Sequence, residues 1–151
     1  AKGDPKARYT VLEFADFQCP TCRAAYEGVV RHFGKSVDVR FAFRHFPIEE
    51  MHPYAIGAAL AVDAAGKQGK FWEMYAELFR EPKPLWNDDY VRTAAKKVGL
   101  NMDAYDAYVG DPANTEAILR QRDMAAALGI YSTPTFWVLD NQTGEVKTPI
   151  A

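Results

Sequence analysis

The sequence predicts a single α/β domain with the element order β-α-β, then four or so helices, then β-β. Three observations carry that prediction. Short β-favouring or alternating stretches lie near both ends, and apolar residues recur with the period of a helix over the long middle. A chain of 151 residues with 48% hydrophobic residues is the size and composition of one packed domain. No repeat or low-complexity linker interrupts it, so the helical middle, about residues 50–129, reads as an insertion within one α/β unit.

Each element has a local reason. YTVLEF (9–14) is short and β-favouring, and reads as a strand. PTCRAAYEGVVRHFG (20–34) reads as a helix: Pro20 suits its first turn, Ala24, Ala25, Val29 and Phe33 keep roughly helical spacing, and Gly34 stops it. VDVRFAFRHFP (37–47) alternates Val37, Val39, Phe41 and Phe43, which predicts a second strand. Helices are then expected over 52–68, 70–81, 88–99 and 114–129, separated by turn signals at Gly66 and Gly69, EPKP, GLNMD and GDP. TFWVLD (135–140), the turn NQTG and EVKT (145–148) predict a closing hairpin.

Composition excludes several classes of function. The net charge is −2 with both signs interspersed, so no basic face is offered to nucleic acid. The longest unbroken run of apolar residues and glycine, 55–62, is far short of the roughly 20 residues a membrane span needs. No charged-then-apolar leader precedes the first strand, which leaves a removed signal peptide or a cytosolic protein. Two cysteines are too few to staple a disulfide scaffold.

Those two cysteines, Cys19 and Cys22, carry the chemical signal. Cys19 falls where the first strand hands over to a helix, where backbone N–H groups and the helix dipole favour a thiolate. Cys22 lies one turn further in, close enough to bridge Cys19 and better shielded. Zinc would need four ligands, and His32, His45 and His52 match no finger spacing. A structural C-x-x-C disulfide closes too small a loop to stabilise much. Redox exchange by the pair is the reading these residues favour.

Four segments together, VLEFADFQCPTC, FRHFP, GKFWEMYAELF and GIYSTPTFWV, resemble the DsbA-like thiol–disulfide oxidoreductases over nearly the whole chain. The resemblance implies a thioredoxin-like core with a central mixed sheet and an inserted helical subdomain. It implies that Cys19 is the exposed nucleophile, Cys22 its resolving partner, and Pro20 and Thr21 the dipeptide that tunes the potential. STPT (132–135) is similar to the family's cis-proline loop, which makes Thr133 and Pro134 the candidate substrate-binding residues. Glu13 resembles the family's buried acid, which moves a proton to or from the resolving cysteine. Alternation alone sets Glu13 opposite Leu12 and Phe14, which also fits an acid facing water. His45 is expected to be a structural histidine, His52 and Pro53 to open the insertion, and Phe71, Trp72, Met74, Tyr75 and Phe79 to be packing residues.

The resemblance implies no metal and no organic cofactor beyond the Cys19–Cys22 disulfide. It implies protein substrates, unfolded or extended and carrying thiols, a membrane-bound reoxidase as electron acceptor, and an extracytoplasmic location. Oxidation of dithiols is the expected direction; a reductase or isomerase, and a non-catalytic peptide-binding module, are the alternatives. Two departures stand out. Thr133 occupies a position where well-known oxidases of the family carry an apolar residue. Seven residues follow Gly144, too few for the helix that usually covers that face of the sheet, so truncation or a covering partner is expected.

Overall fold

Strand β1 (Tyr9–Ala15) is followed by helix α1 (Pro20–Gly28), a 3-10 helix (Val30–Lys35) and strand β2 (Val39–His45). Five helices come next: α2 (Ala55–Lys67), α3 (Phe71–Arg80), α4 (Asp88–Val98), α5 (Met102–Val109) and α6 (Pro112–Ala127). Strands β3 (Thr135–Asp140) and β4 (Val146–Ile150) close the chain. This computed structural model describes residues 1–28, 30–35 and 37–150, with the side chains at 31, 33, 34 and 148–150 outside that description.

The sheet order is β2-β1-β3-β4. β1 is central, parallel to β2 and antiparallel to β3, and it sets Glu13 opposite Phe43 on one side and Phe136 on the other. The sheet is therefore mixed, and β1 ends at its middle, where α1 begins.

Because a strand alternates its side chains, β1 feeds two separate cores. Val11 and Ala15 join Phe41, Phe43, Cys22 and the buried residues of α3 (Met74, Tyr75, Leu78, Phe79) in the larger one. Phe14 joins Phe46, Ala125 and Ile130 in a smaller one, with Leu12 and Trp137 packed against it. Each fully buried side chain of α3 contributes about 1.5–3 kcal/mol of transfer free energy. An alanine-rich face of α2 (Ala58, Ala61, Ala65) lets that helix approach closely, and the Phe71 ring meets Gly66 where a Cβ would stand 3.4 Å away.

The helical stretch differs from the expectation in one element. Residues 102–109, between the GLNMD and GDP turn signals, form α5. Its cap explains it: the Asn101 side chain accepts from the Ala104 N–H, and Asp103 sits in the first turn. The GDP signal is likewise a helix start, with Asp111 accepting from the Ala113 N–H and Pro112 in the first turn of α6. α1 stops at Gly28 rather than Gly34, which falls in the 3-10 helix. Val29 and the Phe33 side chain, two of the residues that suggested the longer helix, lie outside the described residues. β2 is shorter than the 37–47 expected, and α2 begins at Ala55 rather than His52.

Candidate active site

The turn from β1 to α1 is built by Asp16. Its Oδ1 accepts the Gln18 N–H at 2.8 Å and its carbonyl accepts the Cys19 N–H at 3.1 Å, so the chain folds back and places Cys19 directly before α1. Oδ2 accepts the Ile48 N–H at 2.9 Å and meets His52 Nδ1 at 2.8 Å, tying the turn to the loop after β2. Gln18 Oε1 accepts the Tyr54 N–H at 2.8 Å and makes a second tie to that loop.

Both cysteines are free thiols and both are buried, unequally: Cys19 is 7% exposed and Cys22 is 0% exposed. Their acidities diverge. Cys19 is drawn down to about 5, first by a hydrogen bond from the Cys22 thiol, against the cost of burial, then by the Thr133 side chain and the backbone N–H groups of Cys22 and Thr21. Burial, and next the hydrogen bond to Cys19, push Cys22 far above the ordinary thiol range. One proton is thus shared unequally: Cys19 is a thiolate at neutral pH and Cys22 is the donor that steadies it. The helix terminus anticipated from sequence contributes through the Thr21 and Cys22 backbone groups, but the partner thiol comes first.

Pro20 and Thr21 are exposed at the start of α1. Thr133 and Pro134 are half-buried across from them, joined by a cis peptide bond, with the Thr133 carbonyl oxygen 3.8 Å from Cys19 Sγ. The loop is held by the Thr135 hydroxyl, which donates to the Ser132 carbonyl at 2.6 Å. Thr133 therefore meets the Cys19 sulfur with both its carbonyl and its side chain.

Glu13 is 0% exposed. Its alternation is as the sequence implies, opposite Leu12 and Phe14, but that side of β1 faces the larger core rather than water. Burial pushes its carboxyl up to about 7, against the hydrogen bond that the Tyr75 hydroxyl donates to Oε1 at 2.6 Å. Oε2 has no hydrogen-bond partner among the described residues. Tyr75 packs edge-on against Phe17, Phe43 and Phe79, and its hydroxyl is pushed well above its ordinary value by burial, then by Glu13 and, further down, Cys22. A buried carboxyl that ionises near neutrality can take up or release a proton.

Sequence reasoning did not single out Asp16, Arg23 or the role of Tyr75. Arg23, next to Cys22, is buried and donates to the carbonyls of Leu78 (2.9 Å), Glu81 (2.7 Å) and Phe17 (3.4 Å). It neutralises the C-terminal end of α3 and pins α1 to it. The one signal for Asp16 is its position three residues before Cys19, typical of a side chain that closes a turn. His45 is buried with Nε2 2.7 Å from Asp63 Oδ1 on α2, a structural placement. No group of three or more His, Cys, Asp or Glu suited to a metal ion occurs among the described residues.

Residues 1–150 match the family model described as thioredoxin. The chain is 36% identical over 137 residues to a protein named Na(+)/H(+) antiporter NhaA 3 from Salinispora tropica, a match covering 91% of this chain and 21% of that protein. The chain thus spans about a fifth of the length of the curated relatives it matches. Among solved structures it is similar to DsbA2 of Pseudomonas aeruginosa, with a TM-score of 0.80, 27% identity, and coverage of 99% of this chain and 84% of that one. It is also similar to a thioredoxin-like oxidoreductase from Silicibacter pomeroyi DSS-3, with a TM-score of 0.80, 29% identity, and coverage of 99% and 82%.

Proposed function

From the premise that the chain belongs to the thioredoxin family, we propose that it exchanges its Cys19–Cys22 disulfide with protein dithiols, in the oxidising direction. The observation that carries the reading is the divergence of the two thiols, Cys19 at about 5 and Cys22 far above the ordinary range.

Oxidation runs in two displacements. A substrate thiolate attacks Cys19 Sγ, the Cys19–Cys22 bond breaks, and Cys22 leaves carrying the electron pair. A Cys22 thiolate is costly in its buried position, so it takes a proton as it leaves, and Glu13, ionising near neutrality, is the group assigned to supply it. The second substrate thiolate then attacks the substrate sulfur of the mixed disulfide, and Cys19 departs as a stable thiolate. The electrons end on the cysteine pair, so the exchange itself calls on no organic cofactor. Thr133 and Pro134 are assigned to the substrate beside Cys19, and Pro20 and Thr21 to tuning the potential.

Direction follows from which state the thiolate favours. At pH 7 a thiol at about 5 stabilises the reduced form by about 2.7 kcal/mol over one at about 9, or about 60 mV towards the oxidising side. The Cys22 shift adds nothing at that pH, since an ordinary thiol is already protonated there. A pair of this kind stays oxidised only outside a glutathione-reduced compartment, which supports an extracytoplasmic location and a membrane-bound reoxidase. No described helix is long and apolar enough to cross a membrane, and ion transport is not carried over from the longer relatives.

Equilibration of the purified protein with glutathione buffers, read as the fraction of Cys19 and Cys22 oxidised, tests the direction. The expected potential is well above the roughly −270 mV of thioredoxin. A value at or below it favours the reductase reading.

A further inference from the structure

We propose that His52 is the base that accepts the proton of an incoming substrate thiol, with Asp16 fixing its ring; this rests on the disulfide-exchange reading above. Asp16 is 2% exposed, and its carboxylate already accepts the backbone N–H groups of Gln18 and Ile48. A carboxylate so placed can only accept from His52, so Nδ1 carries the proton of that 2.8 Å bond. Nε2 is left to accept, and no protein group bonds it among the described residues. The ring is held on one side and open on the other, with its side chain 14% exposed.

What the open side faces is a cleft of about 530 Å³, lined by His52 together with Gln18 and Pro20, the two residues that flank Cys19. Pro82, Pro84 and Trp86 form its apolar wall. Asp16 also touches the redox pair from the other end, receiving the Cys19 N–H on its carbonyl and directing its own N–H to the Cys22 sulfur. One residue therefore registers the imidazole and both sulfurs in a common frame. The other charged groups of the cleft are Arg23 and Glu27 of α1, and the Arg23 guanidinium is already bonded to backbone carbonyls.

The step balances without another reagent. The substrate S–H proton passes to Nε2, a bond forms between the substrate sulfur and Cys19 Sγ, and the Cys19–Cys22 bond breaks. The electron pair goes to Cys22, which is protonated as described above. The imidazolium then releases its proton to the open cleft.

Two thiols distinguish this role from a structural one. At pH 6.5 about 1% of an ordinary cysteine thiol is ionised, so a base at the site has about a hundredfold to recover. An aromatic thiol already ionised at that pH needs no base. His52→Gln is expected to slow reduction of the disulfide by a cysteine peptide about tenfold or more, and to change the rate with the aromatic thiol less than twofold. Equal slowing with both thiols, or with neither, overturns the proposal. The unsubstituted protein supplies a second measurement that does not depend on the variant folding. Across thiols of increasing pKa its rates should fall less steeply than the ionised fraction multiplied by the rising nucleophilicity of more basic thiolates (a Brønsted slope of about 0.4–0.5), and rates that track that product overturn the proposal. A protein that exchanges with neither thiol fails at the disulfide-exchange reading itself, a result distinct from loss of the base.

Discussion

Cys22→Ala separates the two sources of Cys19 acidity. The thiol that donates to Cys19 is removed, while the backbone N–H groups of Thr21 and position 22 and the Thr133 side chain stay in place. A hydrogen bond to a charged group contributes about 1.5–3 kcal/mol, and one pKa unit is 1.36 kcal/mol, so the loss is worth about one to two units. The sign is fixed: a donor favours the thiolate, so removing it raises the value, from about 5 to about 6–7. At pH 5 the ionised fraction of Cys19 then falls from about half to between about 1% and 10%, and iodoacetamide alkylation slows about five- to fiftyfold. Thiolate absorbance titration gives the pKa directly, and pH-dependent alkylation checks it on the same sample. A variant that still titrates near 5 and alkylates within twofold of the parent refutes the assignment. The acidity would then belong to the start of α1 and to Thr133.

Glu13→Gln should remove a pH dependence of stability. The folded carboxyl sits at about 7 against an ordinary 4.5, so its contribution is present in full below about 4.5 and is lost as pH rises through about 7. The loss is on the order of 3 kcal/mol, absent in the glutamine variant, and denaturant melts of the reduced protein near the two ends of that window will show it. Turnover of the variant should be slower, because the proton for Cys22 is no longer supplied. Arg23→Met keeps the aliphatic stem but strips the donors from the Leu78, Glu81 and Phe17 carbonyls, and should cost about 2–4 kcal/mol in an unfolding curve. A loss below about 1 kcal/mol would mean that solvent satisfies those carbonyls.

Local signals made most of the frame legible. β-favouring residues in 9–14, alternation in 37–47 and the hairpin pattern around 135–140 found the three strands that hold the site, and C-x-x-C after the first of them found the sulfurs. What was missed depends on contacts between distant positions or on residues with two meanings. Asn101 and Asp111 cap helices and also signal turns, so α5 and the start of α6 were hidden in apparent connections. Glu13 alternates as the sequence implies, but only the packed helices decide that its face is dry. Tyr75 has the spacing of any core aromatic; its role comes from a hydroxyl that reaches a residue 62 positions away. Asp16 and His52 are 36 positions apart, and no pattern within one element joins them.

The central place of β1 has a consequence for the order of assembly. β1 pairs with β2 after one short crossover, but its other edge waits for β3, which follows five helices. The contact between Cys19 and the Thr133 carbonyl spans 114 positions. During synthesis both cysteines therefore emerge long before the loop that faces them, and a bond between sulfurs three residues apart needs no fold to form. Closing the sheet late is a non-local step of the slow kind, since chain entropy is spent before the β1–β3 ladder returns it. Until then β1 offers one unpaired edge and the apolar residues of both its faces, the condition in which a partly folded chain is most prone to pair with another copy of itself.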